Sequence, residues 1–449
     1  MGGDLPRQVA FDQEALELFQ ALLRVDTTNP PGNERPAAEL LAEALRGDGL
    51  EPELFEKEPL RTNLVVRLKG AGTKPPLLLT AHLDVVPAEP ESWSHPPFAA
   101  EIRDGWIFGR GAVDMKNMAA MSTMVLKRLA REKVALQRDV IFAAVADEEE
   151  GCELGSKFLV AEHPEKVRAE LALGEVGGFI LRFGDSRLYM VQVAHKGMVW
   201  LKARTRGTPG HGSIPREDQA IHKLALILGR LGRQKLPIHA TAPVRAMIQG
   251  LQSAQPLLGR IGLGLTTVPA LTDFVLSRLF PDKGLARTFN ALLRNTAVAT
   301  KVRAGYKLNV IPGEAEADLD CRTLPGQTIQ DILRELRAVV GDEVDLEILG
   351  GIQALDMPLE SPAIDAIRHA VAAMDPQGHV VPYVNPGFTD GAAFARLGIQ
   401  FYGFVPTFFP EKPSVSFAEL YHGNDERIPV EGFLQGLNCL TDIVRRLCC

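Results

Sequence analysis

Histidine and carboxylate side chains recur along this chain in a pattern suited to holding divalent cations and activating water. His82 and Asp84 stand two residues apart at the end of the apolar run Leu77–Ala81. A strand's period of two sends both side chains to one face. Asp84 can then orient the imidazole through its second nitrogen, as metal-bound histidines commonly require; a loop hydrogen bond is the plainer alternative. Asp114 follows Gly109-Arg110-Gly111-Ala112-Val113 just ahead of a helical pattern, where capping a helix is an ordinary task for Asp. That glycine-rich approach lacks both the Gly spacing and the Gly-Lys-Ser/Thr ending of a phosphate loop. Asp147-Glu148-Glu149-Glu150 leaves the apolar run Val140–Ala146. A solvated acidic turn would account for it, but Gly151 and the helix-like Leu154–Val160 leave these carboxylates little room, so their repulsion calls for a cation or a proton. Glu175 closes Leu171–Gly174, and His422 sits in Tyr421–Glu426 between a loop and a helix. Two imidazoles and several carboxylates make a mixed N/O donor set that zinc accepts, and cobalt or manganese can substitute.

The elements that must position these groups follow from periodicity. Asp12–Arg24 places Leu16, Phe19, Leu22 and Leu23 at helical spacing, and Thr27–Gly32 breaks the pattern. Apolar runs at Leu64–Leu68, Leu77–Ala81 and Val140–Ala146, with a helical pattern over Met118–Ala130, predict an α/β sheet packed between helices, whose strand ends carry the site. From Lys196 the character changes. Val199–Ala203 reads as a strand, Gln219–Leu231 as a helix and Tyr306–Arg322 as strand-like segments, a smaller α+β unit. Between its halves, Ile238–Ala304 is apolar-rich and helix-compatible, predicting either a cover for a site or a subunit contact. After Gly350-Gly351 the helical Ser361–Met374 and the strand-like Ile399–Val405 resume the α/β pattern. The expected organisation is therefore a first domain of residues 1–195 and 354–449 interrupted by a second of residues 196–353.

Composition narrows the function classes. The 449 residues, 46% hydrophobic and 23% charged, exceed one ordinary domain. A net charge of −7 with no long Lys/Arg run argues against a nucleic-acid partner. No apolar run approaches a membrane span, so no membrane partner is expected, and Asp4, Asp12, Glu14 and Glu17 near the start do not fit a secretory leader. Five cysteines without framework spacing suit a reducing, cytoplasmic setting.

Eight segments, in order, resemble the motifs of the zinc-dependent amidohydrolases and exopeptidases that include aminoacylase-1, acetylornithine deacetylase, succinyl-diaminopimelate desuccinylase, glutamate carboxypeptidase and carboxypeptidase S. They are HLDVVP at His82, GRGAVDMK around Asp114, ADEEEG at Ala146, ALGEVGG around Glu175, GTPGHGS around His211, NVIPGEAEADLDCRTLPG from Asn309, GFTDGAAF around Asp390 and YHGNDERIP around His422. The resemblance implies a zinc-exopeptidase-like α/β catalytic domain, with a mixed sheet and helices on both faces, and an inserted α+β lid and dimerisation domain. It implies two zinc ions bridged by Asp114, with His82 and Glu175 completing one site and Glu149 and His422 the other. Glu148 would then be the general base, with Asp84 orienting His82. It also assigns His211 to stabilising the oxyanion, and Asn309 and Arg322 to holding a substrate carboxylate. One departure stands out: Gly391, Ala392 and Ala393 follow Asp390, where many relatives place Arg or Tyr. The apolar residues of Ile238–Ala304, with Phe404, Phe408 and Phe409, would suit either a hydrophobic acyl pocket or plain core packing.

The reading that unites these features is an amide hydrolase of N-acyl amino acids or short peptides with a free carboxylate, acting as a homodimer through the inserted domain. A non-catalytic carboxylate-binding protein on the same fold is the alternative, one in which Glu148 has no task.

Overall fold

The strand Val140–Val145, with the sequence VIFAAV, is buried at every residue. A continuous apolar run of this kind suits the middle of a sheet covered on both sides. In the computed structural model, which describes residues 4–183, 186–280, 283–410 and 417–449, this strand lies at the centre of the first of two compact units. That unit comprises residues 1–193, 357–382 and 389–449. Its sheet runs in the order Glu53–Glu56, Thr62–Leu68, Val140–Val145, Leu77–His82, Leu171–Gly174, Gln400–Gly403 and Ser186–His195. The sheet is mixed. Four neighbouring strands from Val140–Val145 to Gln400–Gly403 run parallel, so their carboxyl ends open on one edge. Thr62–Leu68 runs antiparallel to Val140–Val145.

The helix Lys116–Arg131 packs on the Leu77–His82 strand and meets Asp4–Arg24, Arg35–Arg46 and Val430–Cys448. It is buried almost throughout, including Lys116, whose Nζ donates to the carbonyls of Leu22 and Val25. The C-terminal helix Val430–Cys448 is admitted to this layer by two glycines one turn apart. A Cβ on Gly432 would lie 1.9 Å from the carbonyl oxygen of Phe408, and one on Gly436 would lie 2.0 Å from that of Pro406.

The second unit comprises residues 194–356 and 383–388. A linear division of the chain misses Tyr383–Phe388; Asn385 accepts the backbone N–H of Lys196. Its sheet is antiparallel, in the order Thr296–Ala304, Glu314–Thr323, Gly197–Arg206 and Asp345–Ile352. Glu314–Thr323 alternates buried and half-buried residues, the pattern of a sheet with one covered face. Ala220–Arg233 and Ile329–Val340 supply the cover through Leu224, Ile227, Ile332 and Leu336.

One expectation is refined here. Residues 238–304 are not helical throughout. Helices lie at Ala242–Ser253, Leu257–Leu265, Pro269–Phe274, Val275–Leu279 and Lys283–Leu292, and Thr296–Ala304 is an edge strand on Glu314–Thr323, in keeping with its β-branched Thr296, Val298, Thr300 and Val302. Gly350 and Gly351 lie inside the strand Asp345–Ile352. Lys196 ties the insert to the sheet: its buried Nζ donates to the carbonyls of Ala291 (2.8 Å) and Arg294 (2.9 Å) at the end of the Lys283–Leu292 helix. Burial pushes this ammonium down to about 7.

Gly436→Ala will destabilise the protein by about 1–3 kcal/mol, the cost of overfilling a packed contact. Gly229→Ala, where a Cβ meets nothing within 4 Å, will be neutral or slightly stabilising. Urea unfolding of both variants measures the contrast.

Candidate metal centre

The carboxyl edge of the parallel strands gathers the acidic and histidine residues. His82 is the last residue of its strand, Glu148 and Glu149 follow Val140–Val145, and Glu175 follows Leu171–Gly174. Asp114 reaches the same place from the loop before Lys116–Arg131. It does not cap that helix, since the cap position falls on Met115 without a side-chain bond. One Asp114 oxygen lies 2.9 Å from His82 Nε2 and the other 3.0 Å from His422 Nε2, so Asp114 stands between the two imidazoles.

Three groupings bring potential ligand atoms within 4.8 Å of one another: His82, Asp114 and Glu175; Asp114, Glu149 and His422; and His82, Glu148 and Glu149. The first two share Asp114. Glu149 Oε1 is buried and, among the described residues, has no hydrogen-bond partner. An acceptor left bare in the interior is costly, and a cation would satisfy it. The donor chemistry therefore fits two divalent ions with a common carboxylate.

Electrostatics point the same way. Burial drives Glu148 and Glu175 well above the ordinary carboxylate range, helped by their mutual charge for Glu148 and by Asp390 for Glu175. Burial, then the Asp114 charge, also raises Glu149, and burial lifts Asp390 to about 6. Asp114 goes the other way: burial opposes its ionisation, but hydrogen bonds from His422 and His82 hold it ionised to unusually low pH. Hydrogen bonds to Asp114 and Glu149 push His422 up to about 10. Protons on this cluster stand where cations would, and an arriving metal releases them.

Supporting carboxylates hold the loops. Asp84 Oδ1 and Oδ2 accept the backbone N–H groups of Glu148 and Glu149, both at 3.1 Å, and Asn29 Nδ2 donates to Oδ2 at 2.8 Å. This refines the expectation for Asp84. His82 Nδ1 lies nearer the Asp84 carbonyl oxygen (2.9 Å) than the carboxylate (3.6 Å), so the backbone aims the imidazole while the carboxylate aims the acidic turn. Asp147 is withdrawn from the cluster by Arg61 at 3.0 Å, which also pairs with Glu34.

Sequence reasoning gave no role to Glu426 or Asp390. Glu426 is fully buried. It accepts from Arg110 and from the backbone N–H groups of Gly111, Val113 and Asp114 at 2.6–3.0 Å, fastening the loop that delivers Asp114. Its place four residues beyond His422 was the available signal. Asp390 donates its backbone N–H to Glu175 at 2.8 Å and accepts from Ser156 Oγ. The Tyr421 ring lies 5.4 Å from that of His422 and helps wall a small recess with Val113, Met115, Val176 and Val405. Phe404 is fully buried core.

The second unit carries His211, Asn309 and Arg322. His211 is exposed, with Nδ1 2.7 Å from Ser213 Oγ, and Asn309 accepts the Gly212 N–H through its carbonyl. Arg322 spends two donors on Asp320, at 2.6 and 3.0 Å.

A model of the Peptidase family M20/M25/M40 matches residues 78–446. The sequence is similar to the N-fatty-acyl-amino acid synthase/hydrolase PM20D1 of Homo sapiens, 29% identical over 381 residues that cover 82% of this chain and 74% of that protein. It is similar to aminoacylase-1 of Homo sapiens, 27% identical over 449 residues, 97% and 96% of the two chains. The fold matches the structure of an M20 family metallo-carboxypeptidase, Sso-CP2 from Sulfolobus solfataricus, with a TM-score of 0.70 at 17% identity, covering 96% and 98% of the two chains.

Asp84→Asn, which replaces one acceptor of the turn's N–H groups by a donor, will weaken the binding of a divalent metal ion by about 10–100-fold, as losses of ligand-supporting partners do. Competition with a chelating dye reads this without turnover, and exposed Glu150→Gln serves as the unaffected control.

Proposed function

The chain belongs to peptidase family M20/M25/M40, and on that footing we propose that it is a two-zinc hydrolase of N-acyl amino acids, cleaving the amide bond next to a free carboxylate. Short peptides are the other substrates that the same machinery accommodates. The observation that carries this reading is the pair of ligand triplets joined at Asp114, with Glu148 beside them. The names of the relatives, one a fatty-acyl-amino acid hydrolase and one an aminoacylase, support the acyl substrate over the peptide.

His82, Asp114 and Glu175 would hold one zinc ion, and Asp114, Glu149 and His422 the other. Bound there, two cations acidify water and polarise a carbonyl. Glu148 belongs to neither triplet, so its carboxylate is left to move protons. It takes one from the attacking water and delivers it to the amide nitrogen as the C–N bond breaks; the acyl carbon keeps the hydroxyl and the amine leaves neutral. A buried carboxyl whose proton affinity burial has raised suits a group that must both accept and return a proton. His211 would donate to the oxyanion, and Asn309 with Arg322 would hold the substrate carboxylate, for which an Arg fork is the matched donor. Arg322 would share that fork with Asp320.

A homodimer through the second unit is part of this reading, supported by the exposed edge strand Thr296–Ala304 with Val298 and Val302 facing solvent. Five cysteines without a disulfide support a cytoplasmic setting.

The test is release of free amino acid from N-acetyl, N-long-chain-acyl and dipeptide substrates by zinc-loaded protein, with a chelated control. Glu148→Gln will keep its zinc and lose about 10²–10⁴-fold in kcat; undiminished turnover with zinc retained would rule out Glu148 as the base. His211→Asn will lose about 10²–10³-fold in kcat, and activity in a chain that gel filtration shows to be monomeric would remove any action of His211 across subunits.

A further inference from the structure

We propose that the helices of Ala242–Leu279 and Lys283–Leu292 form a docking surface for an anionic lipid bilayer. The segment has an inner apolar face of its own: Val244, Met247, Ile248, Leu251, Leu263 and Val275 are buried. A second apolar set points outward. Leu257, Leu258, Ile261, Phe274 and Leu279 are each more than half exposed, Leu258 to 83%. The first three share a stripe of the Leu257–Leu265 helix by their spacing. Exposed apolar residues scattered singly need no explanation, but a run of large ones on neighbouring short helices marks a contact surface.

Charge selects the partner. The segment carries five basic side chains, Arg245, Arg260, Arg278, Lys283 and Arg287, against Asp273 and Asp282, a net +3 in a chain of −7. Asp273 is already engaged by Lys235 (2.7 Å) and Arg294 (2.8 Å), and Asp282 lies outside the described residues. Arg245 and Arg260 give their Nε donors to backbone carbonyls and keep their charge. Arg278, Lys283 and Arg287 are exposed and, among the described residues, meet no carboxylate. A twofold contact between copies would lay this patch on itself, setting like charges opposite one another at a cost. An anionic headgroup layer accepts both features, with apolar side chains entering the acyl boundary and cations meeting phosphates.

The segment lies on the surface rather than across it. The Leu257–Leu265 helix has 9 residues, about 13 Å at 1.5 Å per residue, and no described helix is long and apolar enough to cross a membrane. Docking of this kind is independent of the hydrolytic assignment, because it is read from binding alone.

The full chain is sedimented with phosphatidylcholine vesicles that contain or lack phosphatidylserine. The bound fraction is expected to be roughly tenfold or more higher with phosphatidylserine and to fall as salt rises, as an electrostatic contribution from several basic residues requires. The double variant Leu258→Glu, Phe274→Glu will lose this binding while its circular dichroism and melting temperature match the parent, since both side chains lie on the surface. Equal partition onto both vesicle types, no partition at all, or binding undiminished in the variant overturns the proposal. So does a parent dimer that the variant converts to monomer without either binding vesicles, because a second copy would then cover the face.

Discussion

The first unit is organised around burying more carboxylates than bases. Asp84, Asp114, Glu148, Glu175 and Asp390 are all buried beside a fully buried His82, with Glu149 and His422 at the margin. In a low-dielectric interior that surplus is strongly unfavourable unless positive charge is supplied. Where only protons are available, Glu148 and Glu175 hold them far above their usual range. Divalent cations relieve the same excess and satisfy the bare oxygen of Glu149. The composition of the cluster thus suits it to cations.

The rest of the unit reads as the means of keeping those charges in place. Two carboxylates that contact backbone amides do most of this: Asp84 fixes the Glu148–Glu149 turn, and Glu426 fixes the loop ending in Asp114. Each compensates its own burial by accepting several hydrogen bonds, and Arg110 offsets the charge of Glu426 at 2.7 Å. Arg61 draws Asp147 away from the cluster, so one residue of a four-residue acidic run becomes scaffold while its two successors stay with the cluster. The parallel strands matter because their carboxyl ends share one edge, bringing residues nearly a hundred positions apart to one centre.

The second unit follows a different physical logic. Its antiparallel sheet covers one face with helices and leaves Trp200, Val298 and Ile348 on the other exposed. Its helical insert goes further, being apolar outside as well as inside. Stability does not call for such surfaces. They are assets for contact, with the edge strand suited to another strand and the basic insert to an anionic layer.

The sequence by itself determined the class of fold and brought forward the candidate ligands. Continuous apolar runs such as Val140–Val145, short and rich in β-branched and aromatic residues, read as buried strands, and each candidate ligand closes one of them or sits in a loop that contains glycine. Periodicity, however, is local. It could not separate helix from strand at Thr296–Ala304, where pairing with Glu314–Thr323 overrides an apolar pattern compatible with either, nor assign Tyr383–Phe388, whose affiliation depends on distant partners. Within Asp147–Glu150 adjacent carboxylates are chemically alike, so the resemblance alone assigned tasks to Glu148 and Glu149, and only the arrival of Arg61 from elsewhere in the chain sets Asp147 apart. Only the tertiary structure decided that Glu426 is a fastening and that Asp114 stands between two imidazoles, since both facts rest on contacts spanning some three hundred residues.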